Sequence, residues 1–311
     1  MSSKENIAIL IPCYNEAFTI EKVIKDFQKT LPSATIYVFD NNSTDGTAEI
    51  AKKTKAEVVL SPRKGKGNVV QHMFNKIDAN IYVMVDGDDT YPASELPKML
   101  THFNNNKQDV VVGMRLNKYD KKAFPLLHKF GNRLISNIIS FLFKIKIQDV
   151  LSGYRIFSRN FVKTVNLKSQ NFEIETEITI NSVLYGFKLA EVPIAYYERP
   201  KGSISKLNTF RDGMSILKAI FIVMKAYRPG LVYYSLALFA FVLGLVAGYY
   251  PIMDYYTDRY VYHVPLAMLA ASLEILAAIF FTVGIVLTHI SSLHHEMQIV
   301  LNKINNYLQN N

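Results

Sequence analysis

Residues 231–250 are twenty consecutive positions without a charged side chain, and 265–288 form a second such run broken only by Glu274. Twenty residues make about 30 Å of α-helix, the depth of a bilayer's hydrocarbon core. Two such runs side by side predict a transmembrane hairpin, with a buried hairpin in a soluble core as the competing arrangement. The flanks orient it. Lys218, Lys225 and Arg228 precede the first run, whereas the connection holds Asp254, Asp258 and Arg259 among Tyr249, Tyr250, Tyr255, Tyr256, Tyr260 and Tyr262. Basic residues stay on the cytoplasmic side and tyrosines collect at interfaces. The expectation is a cytoplasmic amino-terminal part, an outer loop and a tail that returns to the cytoplasm.

Residues 1–200 are an ordinary soluble mixture. The single cysteine, Cys13, rules out an internal disulfide and suits a reducing compartment. No signal peptide is expected, because the first apolar run is short and turns into Pro12-Cys13-Tyr14-Asn15-Glu16. Thirty-five basic against 26 acidic residues leave a net charge of +9. That charge suits nucleic acid, an anionic membrane face or phosphorylated substrates. No nucleic-acid motif accompanies it, so the expected partners are the membrane and phosphates.

Strand-like and helix-like segments alternate: strands at 7–11, 35–39, 58–60 and 81–85, with helices at 18–30, 43–53 and 68–77 between them. This rhythm predicts an α/β domain with a parallel sheet covered on both faces. A further strand is expected at 110–112, a basic helical region at 117–145, and mixed strands with a helix near 175–185 over 151–197. The stripe Leu207, Phe210, Met214, Leu217, Phe221, Met224 lies on one helical face and suits the membrane interface or packing on the soluble domain.

The fourth strand ends abruptly in Asp86-Gly87-Asp88-Asp89. Carboxylates at the carboxyl end of a strand occupy the edge where open α/β sheets bind ligands. Side chains two apart on a strand share a face, so Asp86 and Asp88 can converge on Mg²⁺ or Mn²⁺ shared with a diphosphate; Asp89 is assigned to the turn. Loops rich in turn residues follow the other strands at 12–16, 40–47 and 63–67. Together they form a polar rim suited to a nucleotide diphosphate, with Asp40 facing a base or ribose and Lys66 offsetting diphosphate charge. No Walker loop, Gly-x-Gly-x-x-Gly fingerprint, zinc cluster or Gly-x-Ser-x-Gly elbow occurs.

The stretches Ile9-Leu10-Ile11-Pro12-Cys13-Tyr14-Asn15-Glu16, Asp40-Asn41-Asn42-Ser43-Thr44-Asp45-Gly46-Thr47, Gly65-Lys66-Gly67 and Asp86-Gly87-Asp88 resemble the GT-A glycosyltransferases of family 2. Asp149-Val150-Leu151-Ser152-Gly153-Tyr154-Arg155, Phe172-Glu173-Ile174-Glu175-Thr176-Glu177 and Arg199-Pro200-Lys201-Gly202-Ser203-Ile204-Ser205-Lys206-Leu207 are similar to the polyprenyl-phosphate members, which include dolichol-phosphate mannose synthases and bactoprenol glucosyltransferases. The resemblance spans about 5–213.

It implies a nucleotide-diphospho-sugar transferase (Rossmann-like) domain over 1–205, an amphipathic interfacial helix over 206–228, a two-helix transmembrane hairpin over 229–290 and a cytoplasmic tail over 291–311. It further implies an inverting, metal-dependent transfer of a sugar from a nucleotide sugar to polyprenyl phosphate at the cytoplasmic membrane. Pro12, Tyr14, Asn15, Glu16, Asp40, Lys66 and Asp86 would line the nucleotide side, and Asp86 and Asp88 would hold the metal. Arg115, Arg133, Arg155, Arg199 and Lys206 would surround the phosphates, with Asp149 beside the reacting sugar and Ser152 among the catalytic residues. Thr90 stands where mannose synthases often carry a glutamine, which leaves a third metal ligand open. UDP-glucose or UDP-GlcNAc is the expected donor, and a GDP-mannose-using synthase is the alternative.

Rival classes fit less well. A processive polysaccharide synthase carries a Gln-x-x-Arg-Trp motif, and this chain has no tryptophan. A non-catalytic membrane scaffold has no need of Asp86, Asp88, Asp149 and Arg155 together. A transporter accessory leaves some 200 soluble residues unexplained. Glu274 is costly within a membrane; it is read as protonated, as paired with a neighbouring helix in a homo-oligomer, or as serving lipid handling.

Overall fold

The computed structural model describes residues 6–115, 126–171, 173–200, 221, 224 and 228–310. The chain divides into two compact units, Met1–Ile216 with Leu301–Asn311, and Leu217–Val300. The first is built on seven strands: β1 Ile7–Cys13, β2 Thr35–Asp40, β3 Glu57–Leu60, β4 Ile81–Met84, β5 Val110–Met114, β6 Arg155–Ser158 and β7 Leu189–Pro193. Its described helices are α1 Ile20–Thr30, α2 Thr47–Lys52, α3 Lys66–Lys76, α4 Leu96–Asn105, α5 Leu126–Phe143, α6 Arg159–Thr164 and α7 Ile174–Leu184.

The strand order is β3-β2-β1-β4-β6-β5-β7. Alternate residues of β1 enter different cores, as the two-residue period requires. Ile9, Ile11 and Cys13 pack with α1 and α4 residues such as Phe27 and Met99, while Ala8 and Leu10 pack with Met73 of α3 and Phe161 of α6. Both faces are therefore covered, which is why these strands read as continuous apolar runs.

One strand departs from the parallel expectation. β6 runs antiparallel to both β4 and β5, pairing Met84 with Arg155 and Val112 with Arg155. The chain reaches β6 from the edge at which its parallel neighbours end and runs back across the sheet. As a result, the turn 149–154 that precedes β6 lies at the same edge as the loops that follow β1, β2 and β4. A strictly parallel sheet would have put that turn at the opposite edge.

The second unit carries the long helix α8 Pro229–Asp258 and, through Val300, the longer helix α9 Val264–Asn310. Both contain stretches long and apolar enough to cross a membrane, with mean hydropathy 2.1 and 2.3, yet only 22% and 11% of those windows are buried. Core helices of a soluble protein would be mostly covered. Small residues of α8 (Ala237, Ala240, Gly244, Gly248) are the buried ones, while Leu238 and Phe239 point outward at 63% and 64% exposure. Small residues inside and large apolar ones outside is the arrangement of helices packed in lipid. Glu274 packs against Gly244, and its Oε1 is buried without a hydrogen-bond partner among the described residues.

Candidate functional site

The loops after β1 and β2 are tied together by their own polar side chains. Asn15, at φ 52°, donates its backbone N–H to Ser43 Oγ (2.9 Å) and accepts from Thr44 N (2.8 Å). Glu16 N donates to Thr47 Oγ1 (2.8 Å), and Asp45 accepts from Ala17 N (3.0 Å). The polar run expected to open a helix at 43 is used in these loop contacts, and α2 begins only at Thr47. Asn41 clasps the third loop: its amide donates to Ser61 O and Arg63 O (2.9 and 2.7 Å) and its carbonyl accepts from Gly65 N (2.8 Å).

Asp40 ends β2 with 2% exposure. Its Oδ2 accepts from Ser43 N (3.2 Å), but Oδ1 is buried with no hydrogen-bond partner among the described residues. A buried carboxylate oxygen left unmatched calls for a donor. Cys13 lies beside this loop, and its backbone carbonyl accepts from Asn41 N (2.8 Å). Pro12, by contrast, is the residue before the end of β1, paired in register with Phe39, and Tyr14 is 42% exposed.

Gly65 (φ 114°) makes the turn that starts α3 with Lys66. Lys66 Nζ lies 2.6 Å from both Asp86 Oδ1 and Glu175 Oε1. Burial alone would lower its pKa, but the two carboxylates outweigh burial and hold the ammonium firmly charged. Asp88, 4% exposed, accepts at Oδ1 from Thr90 N and Thr90 Oγ1 (3.2 and 2.6 Å), and Arg199 pairs with its Oδ2 at 2.5 Å. Burial, then the charge of Asp86, pushes the Asp88 carboxyl up, against the opposing pull of Arg199.

β4 stops at Met84, so the acidic pair meets through the turn rather than through strand alternation. Asp89 takes φ 61° in that turn and pairs with Lys22 at 2.7 Å.

The two carboxylates fit a hard divalent cation. Their oxygens are hard donors, and each already draws a cationic side chain. No group of three or more His, Cys, Asp or Glu is arranged as a metal cage among the described residues. Two carboxylates suit an ion whose remaining ligands are diphosphate oxygens and water. Gly153 packs directly against Asp86, and a β-carbon there would lie 2.8 Å from Asp86 Cγ. Gly153→Ala is expected to displace Asp86 and lower turnover by about 100-fold with little change in melting temperature. Turnover and thermal melts of the full chain check this, and wild-type turnover would contradict it.

Asp149 sits at the far side, fully buried. Its Oδ2 accepts from Arg115 N and Nε (2.8 and 2.9 Å), and its Oδ1 from Arg115 Nη2 and Asn132 Nδ2 (2.8 and 2.9 Å). Burial would raise the Asp149 carboxyl, but the Arg115 guanidinium holds it below the usual carboxylate range. Arg115 also lies 5.3 Å over the Tyr196 ring.

Arg155, expected near phosphate, is fully buried and donates to Ser152 O, Thr179 Oγ1 and Val150 O (2.8, 3.0 and 2.5 Å). It scaffolds the turn 150–152, as does Ser152, whose hydroxyl donates to Gly113 O (2.6 Å). Arg133 is exposed on α5, and the Arg199 side chain is 26% exposed. Lys206, Phe172 and nearly all of 206–228 lie outside the described residues. Glu175, Asn132 and Glu191 belong to this network without having been singled out as site residues. Glu175 stands inside a quoted motif and was legible there; the other two carry no sequence signal.

A sequence model described as Glycosyl transferase family 2 matches residues 8–165. Glycosyltransferase AglJ of Haloferax volcanii is 33% identical over 297 residues, covering 95% of this chain and 97% of that protein. A dolichyl-phosphate hexose transferase of the same organism is 32% identical over 70% of this chain and 92% of its own length. Among solved structures, glucosyl-3-phosphoglycerate synthase from Mycobacterium tuberculosis, in complex with Mn²⁺, UDP and glucosyl-3-phosphoglycerate, superposes with a TM-score of 0.58 at 18% identity. It covers 71% of this chain and 79% of that one, a likeness of fold.

Proposed function

The chain belongs to glycosyl transferase family 2, and on that premise we propose that it moves a hexose from a nucleotide sugar to a polyprenyl phosphate at the cytoplasmic face of the cell membrane. The products are a polyprenyl-phosphate sugar and a nucleoside diphosphate. The observation that carries this reading is the acidic pair Asp86 and Asp88 at the ligand-binding edge, each matched by a cation, Lys66 and Arg199, from a different segment. Such a site is built to hold several negative charges together. The lipid acceptor is supported by α8 and α9 in the same chain and by the dolichyl-phosphate relative. UDP-glucose or UDP-GlcNAc is the proposed donor, in keeping with the UDP and Mn²⁺ of the structural neighbour.

In this proposal a phosphate oxygen of the acceptor forms the new bond to the anomeric carbon, opposite the diphosphate. The old carbon–oxygen bond breaks, and its electron pair leaves with the nucleoside diphosphate. The acceptor is already ionised near neutral pH, so no strong general base is needed. Asp40 offers its unmatched Oδ1 to a donor on the nucleoside. Asp86 and Asp88 would hold Mg²⁺ or Mn²⁺, which would supply Lewis-acid stabilisation of the departing diphosphate. Lys66 adds a fixed positive charge, and Arg199 and Arg133 are assigned to the acceptor phosphate. Arg115 and Asp149 form a rigid buried wall beside the sugar, and Arg155 keeps their turn in shape.

The test incubates membranes containing the full chain with undecaprenyl phosphate and labelled UDP-glucose, UDP-GlcNAc or GDP-mannose, with Mg²⁺, Mn²⁺ or EDTA. A labelled lipid that forms with a UDP-sugar and disappears with EDTA is expected. A GDP-mannose product would replace the donor assignment, and no labelled lipid from any donor would sink the reading.

A further inference from the structure

Glu191 lies on β7, opposite Val112 of β5 in the parallel register. Its carboxylate faces the turn that carries Asp149. Gln148 N donates to both carboxylate oxygens at 3.0 Å, and Asp149 N donates to Oε1 at 2.8 Å. Residues 148 and 149 precede β6 and have no ladder partners of their own, so these bonds hold the turn. We infer that Glu191 is a positioning residue of the transferase site, setting the backbone of Asp149 and, through Asp149, the orientation of the Arg115 guanidinium.

The geometry divides the work between neighbouring strands. β5 delivers Arg115, one residue past its end, to the side chain of Asp149, while β7 delivers Glu191 to the backbone of the same residue. All four bonds to the Asp149 carboxylate come from Arg115 and Asn132. Glu191 makes none of these bonds and acts on the Asp149 carboxylate only through the backbone it holds. Two consecutive N–H groups converging on one side chain need an acceptor-only group. A carboxylate meets that need; an amide presents one acceptor and one competing donor. Burial pushes the Glu191 carboxyl up, and the two N–H groups pull it back. The titratable and charged groups around it are Asp149 and Arg155 on the turn side, and Lys98 and His102 of α4, which line one surface pocket with it.

This inference rests on the transferase reading, and its test has an arm that does not. In the full chain reconstituted in nanodiscs, Glu191→Ala is expected to speed hydrogen exchange at the Gln148 and Asp149 amides by about 10-fold, with β1 and β4 amides unchanged. With UDP-glucose and undecaprenyl phosphate as probes, the same variant is expected to lower kcat by about 100-fold with little change in donor KM. Glu191→Gln keeps one acceptor and is expected to recover part of both effects.

Unchanged exchange at 148 and 149 in Glu191→Ala overturns the assignment. So does faster exchange with kcat intact, which would leave Glu191 a purely structural cap. If the wild-type chain turns over neither probe, that failure belongs to the transferase reading. The exchange arm then still decides whether Glu191 holds the turn.

Discussion

Asp88→Ala is expected to lower turnover by about 1,000-fold while leaving the melting temperature unchanged or slightly raised. The two outcomes separate because the site is electrostatically strained in the fold. Asp88 is buried, and burial together with the charge of Asp86 raises its pKa. A carboxyl whose folded pKa lies above its unfolded value disfavours the fold once ionised. That penalty is present at neutral pH and disappears as pH falls through the raised value.

Alanine removes the penalty along with the proposed metal ligand, and the Arg199 side chain, 26% exposed, keeps its access to water. Asp89→Asn, in the same turn but paired with Lys22, is the matched control and should keep its turnover. Undiminished, EDTA-sensitive turnover in Asp88→Ala would remove Asp88 from the metal site.

Asp149→Ala should behave oppositely and cost about 3–5 kcal/mol of stability. Its carboxylate is fully buried and Arg115 is 7% exposed, so alanine leaves a guanidinium in the interior with its main partner gone. Asp149 ionises below the usual range. Its contribution is therefore complete above the unfolded carboxylate pKa and fades as pH falls through the lowered value.

A double variant, Arg115→Met with Asp149→Leu, removes both charges and should recover most of the stability but none of the turnover, because apolar replacements can match a buried ion pair. Thermal melts and turnover of the full chain, singly and combined, decide this. An Asp149→Ala melt no lower than that of Asp78→Ala, whose ion pairs are exposed, would show that the pair contributes little.

The outcomes for these two aspartates differ for a reason only partly visible in the sequence. Asp86 and Asp88 stand out because a five-residue apolar run stops in a dense group of carboxylates, a local signal. Their convergence was expected from strand alternation, yet β4 ends at Met84 and the turn, not the pleat, brings them together. Asp149 was marked by its motif, but its partners come from 34 and 42 residues away in sequence, Arg115 and Glu191. The resemblance implied phosphate contacts for Arg155 and Arg115, but a sequence shows charge without showing depth. In the structure the Arg115 guanidinium binds the Asp149 carboxylate and that of Arg155 binds the Ser152 carbonyl.

By itself, the sequence determined what depends on neighbours along the chain. Apolar periods set the alternation of strands and helices, two long uncharged runs set α8 and α9, and clustered turn residues marked the loops at the ligand-binding edge. Only the tertiary structure decided what depends on strand order. The antiparallel insertion of β6 between β4 and β5 carries the Asp149 turn to the edge that holds Asp40, Asp86 and Asp88. It also sets Glu191 of β7 against that turn. Hydrophobic patterning specifies that a segment is a buried strand but not which strand lies beside it or in which direction. Those choices are made by the packing of both sheet faces at once.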